Sequence, residues 1–443
     1  MNTPICDFVR QYAEQKALRL HMPGHKGVAY LGPEPYDLTE IDGADSLYEA
    51  DGIIAESERN VSELFGCRTL YSTEGSSQCI RAMVWLALVH GKRQGRRPVI
   101  AAARNAHKTF LSAAALLDAD VVWLKSAEQT SYLSCKPCLK ELEQVLTEEM
   151  PAAVYVTSPD YLGQVCDIAA LADLCHRYDT LLLVDNAHGA YLRFLPQSKH
   201  PMDLGADLCC DSAHKTFPVL TGGAYLHLSE RLPEKLRQQG KNALALFGST
   251  SPSYLILQSL DLANAYLADY RERLADFLPS VEALKTRLLA HGYVLAEEEP
   301  LKLTVETGRY GYSGRDYAEI LQDANIICEF ADQDYVVMML TPEIGEAGLA
   351  QLEAVMLSME KRPEMTSCPP VFCRLKKAMS IRQAAMSPCE TVAVEDSVGR
   401  ILAAASVGCP PAVPIVVCGE IIDENAVQCF RYYGIETVTV VEE

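Results

Sequence analysis

The sequence predicts an α/β fold, with a mostly parallel central sheet flanked by helices and a smaller α+β C-terminal region. Three observations carry that expectation. From about residue 53 to 230, apolar runs suited to buried strands alternate with segments of helical period. Several of these runs, such as Thr180-Leu181-Leu182-Leu183-Val184, are apolar throughout, as strands are when helices cover both faces of a sheet. The length of 443 residues accommodates two or three folded units at roughly 150 residues each.

Taken in order, residues 1–52 form an N-terminal segment and 53–252 a large α/β domain. Strands are expected at 68–72, 98–103, 119–124, 152–157, 180–185, 207–211 and 222–228, with helices near 76–90, 107–117, 138–148 and 168–178. After Pro252 a long helical stretch reaches about residue 290. Shorter candidates follow at 301–305, 315–324, 335–340 and 344–360, which makes 253–365 a small α+β domain. Pro363 and the Cys368-Pro369-Pro370 segment mark a boundary, and 366–443 form a closing domain that includes the run Pro414 to Glu420.

Composition narrows the function. Hydrophobic residues make up 49% and charged residues 22%, the proportions of an ordinary globular chain. The 39 basic residues face 59 acidic ones, and the net charge of −20 repels nucleic-acid backbones and anionic membranes while tolerating a cationic substrate. The basic run Lys92 to Arg97 reads as a solvated loop. No segment approaches the eighteen or so apolar residues of a membrane helix, and the start lacks a secretory pattern, so a cytoplasmic location is expected. The sixteen cysteines are scattered, with Cys135 and Cys138 at CxxC spacing but no second pair to complete a zinc site, and no metal is expected.

One short repeat stands out. Ala106-His107-Lys108-Thr109-Phe110 recurs as Ala213-His214-Lys215-Thr216-Phe217, and a third His-Lys pair lies at His25-Lys26. Lys215 follows the apolar strand ending at Asp211, one strand after Asp185, so both polar groups fall at carboxyl ends of neighbouring strands, where ligands of such sheets bind. An amine and a carboxylate placed there suit pyridoxal phosphate chemistry, the lysine forming an imine with the aldehyde and the carboxylate keeping the pyridine nitrogen protonated. They equally suit a rim ion pair. Thr73-Glu74-Gly75-Ser76-Ser77-Gln78 joins a strand to a helix, and such a start either holds a phosphate or is an ordinary serine cap.

At this point the chain resembles the pyridoxal-phosphate-dependent ornithine/lysine/arginine decarboxylases, in their compact form, of the aspartate-aminotransferase fold (fold type I). The resemblance rests on His21-Met22-Pro23-Gly24-His25-Lys26-Gly27, Thr39 to Leu47, Asp185-Asn186-Ala187-His188-Gly189-Ala190, Ser212-Ala213-His214-Lys215-Thr216 and Ser249 to Tyr254. The tail Cys409 to Glu420 is similar to that family's closing domain. It implies a cytoplasmic lyase that decarboxylates lysine, arginine or ornithine to an amine or polyamine precursor.

Carried over by position, the resemblance implies that Lys215 is the Schiff-base lysine, Asp185 pairs with the pyridine nitrogen and His107 stacks on the ring. His188 approaches the ring oxygen or the substrate carboxylate. Gly75, Ser76 and Ser77, with Ser212 and His214, hold the phosphate, and Thr250 reaches it from a partner subunit, so a homodimer with shared active sites is implied. Lys215 or His214 donates the final proton. His21 and His25 shape the entrance, and Glu40, Asp42, Asp45 and Glu420 are candidates for the substrate's distal cation. Two departures from the family stand out: Asn186, where several relatives carry glutamate, and the residues Thr221-Gly222-Gly223.

Alternatives stay open at this level. His107 also reads as a helix-start histidine with no ligand. An aminotransferase or carbon–sulfur lyase uses the same lysine and aspartate. Ser212-x-x-Lys215 suggests a serine acyl-enzyme, but its companion SDN and KTG motifs are missing. A binding or regulatory protein on the same fold is the remaining class.

Overall fold

The computed structural model describes residues 1–126, 131–366, 369–370, 375–404 and 413–442. Cys368 and residues 409–412 of the proline-rich tail motif lie outside the described residues. The apolar runs become β1 (Arg68–Ser72), β2 (Val99–Ala103), β3 (Asp120–Leu124), β4 (Ala153–Thr157), β5 (Leu181–Asp185), β6 (Leu208–Asp211) and β7 (Ala224–Leu228). Each lies within its expected segment. Four of them, β2, β5, β6 and β7, are buried at every position, which is why their sequences lack the alternation of a half-exposed strand. The architecture is mixed α/β with a mostly parallel central sheet, as expected.

The chain divides into two compact units. The first comprises Met1–Arg97, Ala152–Tyr155 and Ile168–Glu272. Its strands run in the order β1-β7-β6-β5-β4. β5 and β6 are parallel, with Asp185 opposite Cys210, whereas β7 is antiparallel to both β6 and β1. Helix Gly75–Arg93 follows β1 and ends with His90, Lys92 and Arg93 in its last turn, cations that suit the negative end of the helix dipole. Among the helices the sequence reading missed are Pro4–Glu14 and Ile53–Phe65; both are amphipathic, and Ile5, Val9, Ile54 and Val61 are buried. The stretch expected as one helix to about 290 is two, Tyr254–Leu267 and Tyr270–Ala290, and Asp269 stands before the second, where aspartate is favoured.

The second unit comprises Pro98–Pro151, Val156–Asp167 and Arg273–Glu443. In it β2 and β3 pair in parallel, and β8 (Lys302–Glu306), β9 (Phe330–Ala331) and β10 (Tyr335–Met339) form an antiparallel sheet in the order β8-β10-β9. Toward the end of the chain β11 (Cys389–Ala393) pairs with β12 (Thr437–Val441) beside helix Glu424–Tyr432, over a core of Val394, Leu402, Val416, Phe430 and Val440. The run Pro414–Glu420 is bend and turn ending in a β-bridge at Glu420, with Val416 and Val417 buried.

Candidate active site

Strand geometry brings the first pair of functional side chains together. β5 ends on Asp185 and β6 on Asp211, and the chain then turns through Ser212 into the short helix Ala213–Thr216, which carries His214 and Lys215. Lys215 Nζ lies 2.9 Å from Nε2 of the buried His188, three residues beyond Asp185. An ammonium in that contact donates and the imidazole accepts, which leaves the amine half-buried with one fixed direction.

Asp185 is 2% exposed and its two oxygens are held separately. Tyr155 on β4 donates its hydroxyl to Oδ2 at 3.0 Å, and Oδ1 accepts from the Ala187 N–H at 3.2 Å and from the Cys210 thiol at 3.6 Å. Burial keeps Cys210 well above the ordinary thiol range, so it stays a donor. The carboxylate is aimed by these three partners at the strand end. Tyr155 and Cys210 were not singled out from sequence; a tyrosine inside the buried run Ala153–Val156 is the available signal, since a buried phenol takes a hydrogen-bond partner.

The expected phosphate turn forms a second cluster. Gly75 opens helix Gly75–Arg93 at φ +71, with no heavy atom within 4 Å of where a Cβ would stand. Its N–H donates to the Gly222 carbonyl at 2.7 Å, and Ser76 and Ser212 join hydroxyls at 2.9 Å. Glu74 at the cap position makes no capping bond to the helix, and its carboxylate accepts from the Ser249 N–H. Glycine at 222 is required twice over, by φ +100 and by a Thr73 carbonyl that a Cβ would meet at 2.9 Å. Ser77 lies in the same first turn, and the His214 ring donates from Nδ1 to the Gly223 carbonyl at 2.9 Å.

Two further predicted residues are Thr250 and His107. Thr250 is exposed, on the turn that Glu74 ties down through Ser249. His107 belongs to the second unit, where it caps helix Lys108–Leu117 by accepting from the Thr109 N–H at 3.2 Å.

Two of the four acidic candidates for substrate selection, Asp45 and Glu420, are committed to the fold. Asp45 accepts from the N–H groups of Ser46, Asp51, Gly52, Ile54 and Ala55, which makes it the anchor of a helix start. Glu420 accepts from Arg104 at 3.1 Å and from the Val417 N–H at 2.8 Å. His25 bonds Asp37 at 3.2 Å and His21 bonds Tyr12 at 2.6 Å.

Among the described residues, His200, Cys209 and Asp211 place donor atoms within 4.8 Å of one another as a metal site does, but Asp211 Oδ2 already receives His200 Nε2 and His227 Nε2, each at 3.0 Å. Also among the described residues, no helix is long and apolar enough to cross a membrane.

Residues 3–296 match the family model of the Orn/Lys/Arg decarboxylase major domain, and residues 364–438 that of the Orn/Lys/Arg decarboxylase C-terminal domain. The uncharacterized protein YaaO of Bacillus subtilis is 30% identical over 97% of this chain and 93% of its own length. An arginine decarboxylase of the same organism is 28% identical over 96% and 92%. The solved lysine decarboxylase of Francisella novicida superposes with a TM-score of 0.81 at 16% identity, covering 99% of this chain and 81% of that one, and shares the fold. An alanine–glyoxylate aminotransferase from Nostoc superposes at 0.55, over 69% and 85% of the two chains at 19% identity.

Proposed function

The chain belongs to the Orn/Lys/Arg decarboxylase family and is a decarboxylase of a basic amino acid, and on that premise we propose that it works with pyridoxal 5'-phosphate attached to Lys215, as a homodimer. The observation that carries the reading is the Lys215–His188 contact on the same rim as the buried, triply held Asp185. The residues present fit the coenzyme: an amine, a buried carboxylate and an open glycine–serine helix start lie within one unit. Family and fold neighbours are enzymes of this coenzyme class.

When bound, the coenzyme supplies an electron sink for the pair of electrons left at Cα as carbon dioxide departs. The chain's own residues do the rest. Asp185 presents a carboxylate to the ring nitrogen and keeps a proton there. Gly75, Ser76 and Ser77, with Ser212 and His214, receive the phosphate at the positive end of helix Gly75–Arg93. His188 holds the Lys215 amine in one direction, which favours its service as the group that returns a proton to Cα. His107 takes the ring-stacking role and Thr250, exposed on its turn, the partner's phosphate. Both roles follow from the family resemblance.

The test is to load the purified protein with pyridoxal phosphate, supply arginine, lysine or ornithine, and measure carbon dioxide and amine. One equivalent of each per substrate consumed supports the reading. A keto acid would reject it in favour of transamination, and no visible coenzyme absorbance would reject the attachment.

A further inference from the structure

Behind the site lies a buried polar network that the mechanism above does not use. Asp211 ends β6 with its side chain fully buried, and Oδ2 accepts from His200 Nε2 and His227 Nε2, both also fully buried. Each imidazole is held at its far nitrogen. His200 Nδ1 accepts from the Met202 N–H at 3.3 Å, and His227 Nδ1 bonds the Thr69 hydroxyl at 2.9 Å. The other oxygen, Oδ1, accepts from Asn186 Nδ2 at 2.6 Å. Burial alone would raise the Asp211 carboxyl, but the charge and hydrogen bonds of His200 and His227 hold it well below the usual carboxylate range. A buried carboxylate with both oxygens engaged is an acceptor only.

Asn186 is the residue directly after Asp185. Its N–H donates to the Cys210 carbonyl at 3.0 Å, which extends the β5–β6 ladder past Asp185. Its side chain closes the link to Asp211, so residue 186 is bound to β6 at both backbone and side chain. An ionised acid at 186 would set two acceptors against each other at hydrogen-bond distance between two fully buried side chains, a cost that burial makes severe. The amide at 186 and the carboxylate at 211 are therefore a matched donor and acceptor.

We propose that Asp211, clasped between His200 and His227, is a positioning residue that fixes the Asp185 carboxylate against the coenzyme nitrogen through Asn186. This rests on the reading of Asp185 and Lys215 as coenzyme ligands. The two ideas separate by experiment.

The experiment titrates the purified full chain with pyridoxal phosphate and follows the visible absorbance of the bound form in four proteins. Wild type should acquire that absorbance. If it does not, the coenzyme reading fails first. Asn186→Asp should weaken coenzyme binding at least about tenfold by opposing two carboxylates, and Asn186→Ala, which removes the tie without adding charge, by about threefold or more.

In the swap Asn186→Asp with Asp211→Asn, the new amide can turn its oxygen to the two imidazoles and its NH₂ to the new carboxylate. Binding should recover to within about threefold of wild type, a coupling that a double-mutant cycle isolates. Wild-type binding in both single variants, or a swap no better than Asn186→Asp alone, overturns the proposal. Where Asn186→Asp fails to fold, Asn186→Ala and the swap decide alone. Wild-type affinity in Asn186→Ala, or a swap protein that folds but binds as weakly as Asn186→Ala, is the overturning result.

Discussion

The amine of Lys215 and the ring of His188 meet at 2.9 Å although 27 residues separate them. The contact exists because β5 and β6 are adjacent and parallel, so that the residues following both strands emerge on one edge. It also sets Lys215 apart from Lys108, which shares its local sequence but follows a helix cap in the other unit.

Lys215→Ala should therefore abolish both the visible coenzyme absorbance and turnover. Lys108→Ala should keep the absorbance. A spectrum of each purified variant after coenzyme loading decides the matter, and the reverse result would refute the choice of lysine.

Tyr155→Phe removes a hydroxyl that donates to a buried carboxylate. A hydrogen bond to a charged group is worth about 1.5–3 kcal/mol, so urea denaturation should show a loss of that size. An unchanged midpoint would mean that the phenol does not hold Asp185.

At Gly222 an added methyl meets a carbonyl and the left-handed backbone resists any side chain. Gly222→Ala should displace the carbonyl that receives the Gly75 N–H and so weaken binding of pyridoxal phosphate. Binding of unphosphorylated pyridoxal should change little. Equal weakening of both aldehydes would place the turn away from the phosphate.

Asp45 separates a structural from a substrate role. With five backbone N–H groups on its carboxylate, Asp45→Ala should lower stability by about 2 kcal/mol or more and leave KM for the amino acid nearly unchanged in the folded fraction. A large rise in KM for one basic amino acid, with stability intact, would return Asp45 to the specificity candidates.

Burial pushes the Asp160 carboxyl up to about 6, against hydrogen bonds from Ser134 and the Gln164 and Leu162 N–H groups and the charge of Lys302. Because the folded protein then holds a proton that the unfolded chain releases near pH 4, this group lowers stability as pH rises from about 4 to 6 and adds no slope above. Asp160→Asn keeps an oxygen for Leu162 and Gln164, and should flatten that part of the stability curve by no more than about 3 kcal/mol. A melting series across the window reads it, and an unaltered slope would show that Asp160 does not titrate there.

The sequence was legible wherever the physical cause is local. The strands buried at every position, β2, β5, β6 and β7, show as short, largely apolar runs, because a strand covered on both faces is filled mainly by apolar residues. The positions of Asp185 and Lys215 at the strand ends follow from the same runs. Less was legible where the pattern is weak: β9 is two residues long, and β11 carries mostly exposed residues and so lacks an apolar signature.

By itself the sequence determined the alternation of strands and helices, the lysine and carboxylate at the rim, the glycine–serine turn and the family. Only the tertiary structure decided the pairings: Tyr155 with Asp185, Asn186 with Asp211, and Ser76 with Ser212 across 136 residues. It likewise assigned the carboxylates of Asp45 and Glu420 to backbone and arginine partners. The reason is that periodicity and strand-end placement depend on neighbours within a few residues, whereas a buried polar atom takes whatever partner the closed chain brings within about 3 Å.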